Sequence, residues 1–126
     1  MGKTLPENQQ LIADGLHDVI TVLEKNDIPY VLEGGTLLGA VRENRFLPWD
    51  DDVGIAVPAE DFFDKMDELV RQLADIGFTP GFREDSFENC KINVLRDGAR
   101  YEILGWFARG SWRRRARYRM PRKLLE

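Results

Sequence analysis

Cysteine and histidine each occur once, as Cys90 and His17. A single cysteine excludes an internal disulfide and any thiolate cluster for a metal, and it suits a reducing, cytoplasmic setting. A single histidine gives little support to a Ser/His/Asp type of site. His17 falls inside a helical pattern and is read as a surface or half-buried helix residue. No stretch approaches the roughly 18 to 20 apolar residues that a membrane helix needs. The opening residues Met1 to Gln10 are polar and interrupted by Pro6, unlike a secretory leader. Internal repeats and linker-like stretches are also missing, so residues 1–126 are read as one domain.

What is present is the composition of an ordinary globular protein, 43% hydrophobic and 32% charged. That balance excludes a disordered chain or a collagen-like rod. The net charge of −4 conceals a division. Residues 109–126 hold eight Lys/Arg against Glu126, net +7, which leaves 10 basic and 21 acidic groups, net −11, on residues 1–108. A basic tail on an acidic body either docks on that body or meets an anionic partner.

Hydrophobic periodicity sets out the elements. Leu11, Ile12, Leu16, Val19, Ile20 and Leu23 predict a helix from about Glu7 to Asn26. Ile28 to Leu32 reads as a short buried strand that runs into Gly34-Gly35. Thr36 to Glu43 is expected to be a second helix, and Val53 to Val57 a strand. Pro58 opens a third helix whose apolar face comprises Phe62, Phe63, Met66, Leu69, Val70, Leu73 and Ile76, and Gly77 ends it. Phe78 to Asp85 is expected to be an irregular strand. Cys90 to Leu95 and Ala99 to Phe107 flank Arg96-Asp97-Gly98, a hairpin signal. The order α-β-α-β-α-β-β-β implies an α/β protein of the α+β type, a small mixed sheet with helices mainly on one face.

The chemistry is concentrated in residues 32–57. Gly34-Gly35 between a strand and a helix lets backbone N–H groups approach an anion, and the helix dipole favours its charge. Asp50, Asp51 and Asp52 crowd three carboxylates at the start of an apolar strand. Alone, such a run is most often a solvated acidic loop. Beside the glycines it suits a divalent ion joined to substrate phosphates, because carboxylate oxygens are the ligands Mg²⁺ and Mn²⁺ prefer.

Gly34-Gly35-Thr36-Leu37-Leu38-Gly39-Ala40-Val41-Arg42, followed by Phe46-Leu47-Pro48-Trp49-Asp50-Asp51-Asp52, resembles the signature of the LicD/fukutin-related phosphotransferases, which have the nucleotidyltransferase fold. The element order is similar from about Leu11 to Phe107. The resemblance implies transfer of a phospho-alcohol, phosphocholine or ribitol phosphate, from a CDP-linked donor to a sugar hydroxyl of a cell-surface glycan, lipopolysaccharide or teichoic acid precursor. It also implies a divalent cofactor, Mg²⁺ or Mn²⁺. Asp52 matches the first residue of the family's Asp-x-Asp pair, and Asp50 the acidic residue two before it. Tyr101 to Phe107 is similar to the stretch that carries a third carboxylate. Glu102 is therefore either that carboxylate or an edge-strand glutamate facing water. Gly34, Gly35 and Thr36 match the phosphate-binding turn. Arg42 matches a basic residue that meets a phosphate or, equally, pairs with Glu33 or Asp52.

Two departures stand out. The second Asp of the pair is replaced by Gly54. The family's chains also usually continue beyond the equivalent of Glu126, and the segment from Met120 resembles the start of that continuation. Two alternatives follow. One is a catalytically impaired chain that binds a nucleotide or a partner. The other is a module that binds an anionic polymer through its basic tail, although nucleic acid is not the expected ligand.

Overall fold

The computed structural model describes residues 6–33 and 52–106. Helix α1 spans Pro6–Lys25 and strand β1 spans Val31–Glu33. Strand β2, Asp52–Pro58, leads into α2, Ala59–Phe62. A 3-10 turn at Phe63–Lys65 separates α2 from α3, Met66–Asp75. Strands β3 (Thr79–Ser86), β4 (Asn89–Arg96) and β5 (Ala99–Trp106) complete the described chain. The expected second helix, Thr36 to Glu43, lies outside the described residues, as do the aspartates at 50 and 51 and the basic tail.

Both long helices stop in the same way. Asp27 takes a left-handed φ of 59°, and Gly77 one of 100°. In α1 the Ile28 N–H donates to the Leu23 carbonyl at 3.0 Å and the Asp27 N–H to Glu24 at 3.1 Å. In α3 the Phe78 N–H donates to Leu73 and the Gly77 N–H to Ala74, both at 3.1 Å. These paired bonds satisfy carbonyls that the helix end would leave open, and the buried Ile28 and Phe78 pin each exit to the core. The single helix expected from Pro58 to Ile76 is instead broken. Pro58 is the last residue of β2, and Phe62 and Lys65 depart from regular helical geometry (φ −102° and −106°). Lys65 donates from its Nζ to the Asn26 carbonyl, 2.5 Å away, which ties the irregular turn to the end of α1.

The five strands order as β1-β2-β5-β4-β3. β2 and β5 run parallel, and the other neighbours are antiparallel. The Asp97-Gly98 turn between β4 and β5 has positive φ at both residues, 55° and 83°, the twist that a two-residue hairpin favours. One sheet face carries Leu32, Val53, Ile55, Val57, Ile92, Val94, Tyr101 and Ile103, which join the apolar residues of α1, α2 and α3 in one core. Every described helix packs there, as the expected architecture requires. On the opposite face Val31, Ala56 and Trp106 make a separate small cluster. Cys90 is buried and free, as a small apolar residue would be, and burial pushes its thiol pKa up.

Candidate functional site

Strand alternation decides which residues share a face. Val53, Ile55 and Val57 turn into the helical core. Positions 52 and 54 of β2 therefore belong to the other face. There the register draws one row across four strands: Glu33 on β1, Gly54 on β2, Glu102 on β5 and Asn93 on β4. The next row places Asp52 beside Arg100 and Leu95. On the far side, Leu104, Lys91 and Glu84 are aligned. Asp52 and Glu102 thus come from adjacent strands on one face, in diagonal positions separated by Gly54 and Arg100.

β5 lies between β2 and β4, so Glu102 is not on an edge strand, and that part of the alternative reading is corrected. Its side chain is 39% exposed, and its carboxylate lies 3.3 Å from Lys91 Nζ. Lys91 Nζ also lies 3.9 Å from Glu84 and stands over the Phe82 ring, 5.6 Å from its centroid. The sequence reading passed over Lys91. Its signal was the strict alternation of Cys90, Ile92 and Val94, which are buried, with Lys91 and Asn93, which are not. His17 is an exposed helix residue, its side chain 77% accessible. Gly34, Gly35, Thr36, Arg42 and Asp50 lie outside the described residues.

Carboxylates, the residue type at both 52 and 102, supply the oxygen donors that a hard divalent ion takes. Gly54 offers no side-chain donor, and among the described residues no three His, Cys, Asp or Glu side chains converge as a metal-holding group. No described helix is long and apolar enough to cross a membrane.

Comparison with known proteins identifies the family and the fold. Residues 27–96 match the family described as LicD/FKTN/FKRP, nucleotidyltransferase domain. An uncharacterised protein of Rickettsia prowazekii is 37% identical over 94 residues, 75% of this chain and 33% of that protein. The lipopolysaccharide cholinephosphotransferase LicD of Haemophilus influenzae is 38% identical over 63 residues, 49% of this chain and 24% of that protein. The human ribitol 5-phosphate transferase FKRP is 49% identical over 43 residues, 34% of this chain and 9% of that protein. The chain therefore spans a third or less of the length of these relatives. The solution structure of the antibiotic-resistance factor ANT(2'')-Ia superposes with a TM-score of 0.58 at 13% identity, over 79% of this chain and 49% of that one, a likeness of fold. With its mixed five-stranded sheet and a family match over more than half its length, the chain belongs to the LicD/FKTN/FKRP family of nucleotidyltransferase domains.

Proposed function

We propose that this domain forms the donor-binding part of a phosphotransferase. The reaction moves a phosphocholine- or ribitol-phosphate-like group from a CDP-linked donor to a sugar hydroxyl of a cell-surface glycan, lipopolysaccharide or teichoic acid precursor. The observation that supports the reading is the register that sets the backbone positions of Asp52 and Glu102 in neighbouring rows of one sheet face, beside a family match that includes Asp52. The names of the relatives from Haemophilus influenzae and human supply the substrate class. A cytoplasmic site of action accords with the single buried thiol.

In this reading Asp52, Asp50 and Glu102 would hold Mg²⁺ or Mn²⁺, which would supply positive charge against the donor's diphosphate. Gly34, Gly35 and Thr36 offer backbone N–H groups to the donor phosphates, and Arg42 forms a charge-assisted contact to one of them. The protein's share of the catalysis is positioning and electrostatics, since phosphoryl transfer asks little covalent chemistry of side chains.

Titration of CDP-choline and of CTP into the purified chain, with and without Mn²⁺, tests this directly. Binding that needs the ion and is lost in Asp52→Asn supports it. Binding or turnover that survives Asp52→Asn overturns it. Gly54 favours a second reading, in which the chain binds donor but turns it over poorly or not at all. Gain of turnover in Gly54→Asp would establish that the missing carboxylate is the defect.

A further inference from the structure

The sheet face turned away from the helices holds a strip that is closed to water without a described cover. Register sets Val31, Ala56 and Leu104 in one row and Pro58 beside Trp106 in the next row on that face. Val31 is 1% exposed and Ala56 0%, and Pro58 is buried. Side chains stand roughly perpendicular to a sheet, so a valine on a bare face would show its methyl groups to water. Val31 also lies on an edge strand, with a neighbouring strand on one side only. Among the described residues, Trp106 is the apolar side chain packed against Val31 and Ala56, and it is itself partly exposed. The helices pack against the other face. Something further therefore shields the strip.

The path of the chain indicates what that is. Strand β5 ends at Trp106, inside the strip, so the residues that follow start there. The connection between β1 and β2 leaves at Glu33 and returns at Asp52, at the other end of β2 from Pro58. Crossing from β5 over β2 to β1 spans two strand spacings, about 10 Å. The 20 residues 107–126 reach about 30 Å even as a helix. Trp112, Ala116 and Met120 recur at every fourth residue, a spacing that lines apolar groups on one side of a helix. Charge favours the same contact. Residues 109–126 carry net +7 and residues 1–108 net −11, and opposite net charges draw the two together.

We propose that residues 107–126 dock on their own domain, with Trp112 and Met120 over Val31, Ala56, Pro58 and Trp106. The arginines between them stay with the acidic body. The tail is then a cover for the sheet rather than a free arm for an anionic polymer. This holds whether or not the domain binds a donor.

Thiol labelling of the full chain carrying Val31→Cys, read by mass spectrometry, tests the contact. Cys90 is fully buried in the core and reports global unfolding in the same sample. The introduced thiol should label slowly while the chain is folded. Adding Trp112→Ser and Met120→Ser should speed its labelling about tenfold or more, with Cys90 still silent, because burying a large apolar side chain is worth more than one decade in an equilibrium. Met120→Ser alone should act in the same direction and serves if the double change unfolds the chain.

Equal labelling with and without the tail changes overturns the proposal and gives the strip to another segment. Immediate labelling in the chain that keeps Trp112 and Met120 overturns it too, and retention of that chain on heparin would assign the tail to an anionic polymer. A rate that rises on dilution overturns it in favour of a second copy of the chain. Labelling of Cys90 as fast as the introduced thiol, even in Met120→Ser alone, also overturns it, because the tail would then hold the whole fold rather than cover one strip.

Discussion

The two faces of the sheet are built from the same strands, yet one carries the apolar core and the other carries charge beside a small apolar cluster. On the helix-covered face Ile55, Val57, Tyr101 and Ile103 are fully buried. On the other face, one residue away along the same strands, stand Gly54, Glu102 and Lys91, all partly exposed, the last two joined as an ion pair. Alternation allows the chain to place stability and chemistry on adjacent residues without mixing them. The covered face takes a polar group only where it is paired, as the Tyr101 hydroxyl is with the Ile12 carbonyl, whereas charges among the partly exposed residues of the other face can change with little effect on folding.

Adjacent residues of β5 test this separation most sharply. Ile103→Ala removes a side chain with no exposed surface and should cost about 2–5 kcal/mol in chemical denaturation. Glu102→Gln, one residue earlier, should stay within about 0.5 kcal/mol of the unaltered chain and yet lose ion-dependent donor binding. Comparable destabilisation by the two changes would show that the charged face is structural too.

The next largest effect should come from a glycine inside a helix. Gly15 lies in α1, where glycine is ordinarily unfavourable. A Cβ added there would stand 2.0 Å from the Tyr101 hydroxyl oxygen and 2.5 Å from its ring carbon. The glycine makes room for a buried tyrosine from β5. Gly15→Ala should gain helix propensity and still destabilise by roughly 1–3 kcal/mol, because a packed ring has nowhere to move. Gly15→Ala combined with Tyr101→Phe should cost less than the sum of the two changes, since the closest clash is with the hydroxyl. Strict additivity in thermal melts would refute the contact.

This contact also shows where sequence reading stops. The first helix, the Asp97-Gly98 hairpin and the buried strands were legible because periodicity and turn chemistry are local. Gly15, by contrast, looked like an ordinary helix position, because its reason lies 86 residues away in Tyr101. Gly105 is similar, since a Cβ there would come within 2.3 Å of the Cys90 sulfur. The break in the third helix was also invisible, because the apolar stripe runs unbroken through Phe62, Phe63 and Met66. At the site, the sequence named Asp52 and Glu102 by resemblance. Only the parallel pairing of β2 with β5 sets their backbones in neighbouring rows, and non-local pairing leaves no mark in a single strand's pattern. Lys91 was missed for the same reason, because its two carboxylate partners come from different strands.

The smallest predicted effect concerns Tyr101 itself, whose hydroxyl donates to the Ile12 carbonyl at 3.1 Å and whose ring meets Phe78 edge-on. Burial, more than any neighbouring charge, pushes the Tyr101 pKa up to about 12, because the phenolate would be formed out of contact with water. In the unfolded chain the group titrates near the ordinary 10. Between those two values the folded protein holds a proton that the unfolded chain has released. Stability is therefore complete below about pH 10 and falls as pH rises toward about 12. Tyr101→Phe should cost about 1 kcal/mol at neutral pH through the lost hydrogen bond. It should also flatten the decline in stability above pH 10, so that the two proteins converge at high pH in urea titrations. A variant whose alkaline decline runs parallel to that of the unaltered chain would mean that the tyrosine reaches water in the folded state. The helix-covered face would then be less sealed than its geometry indicates.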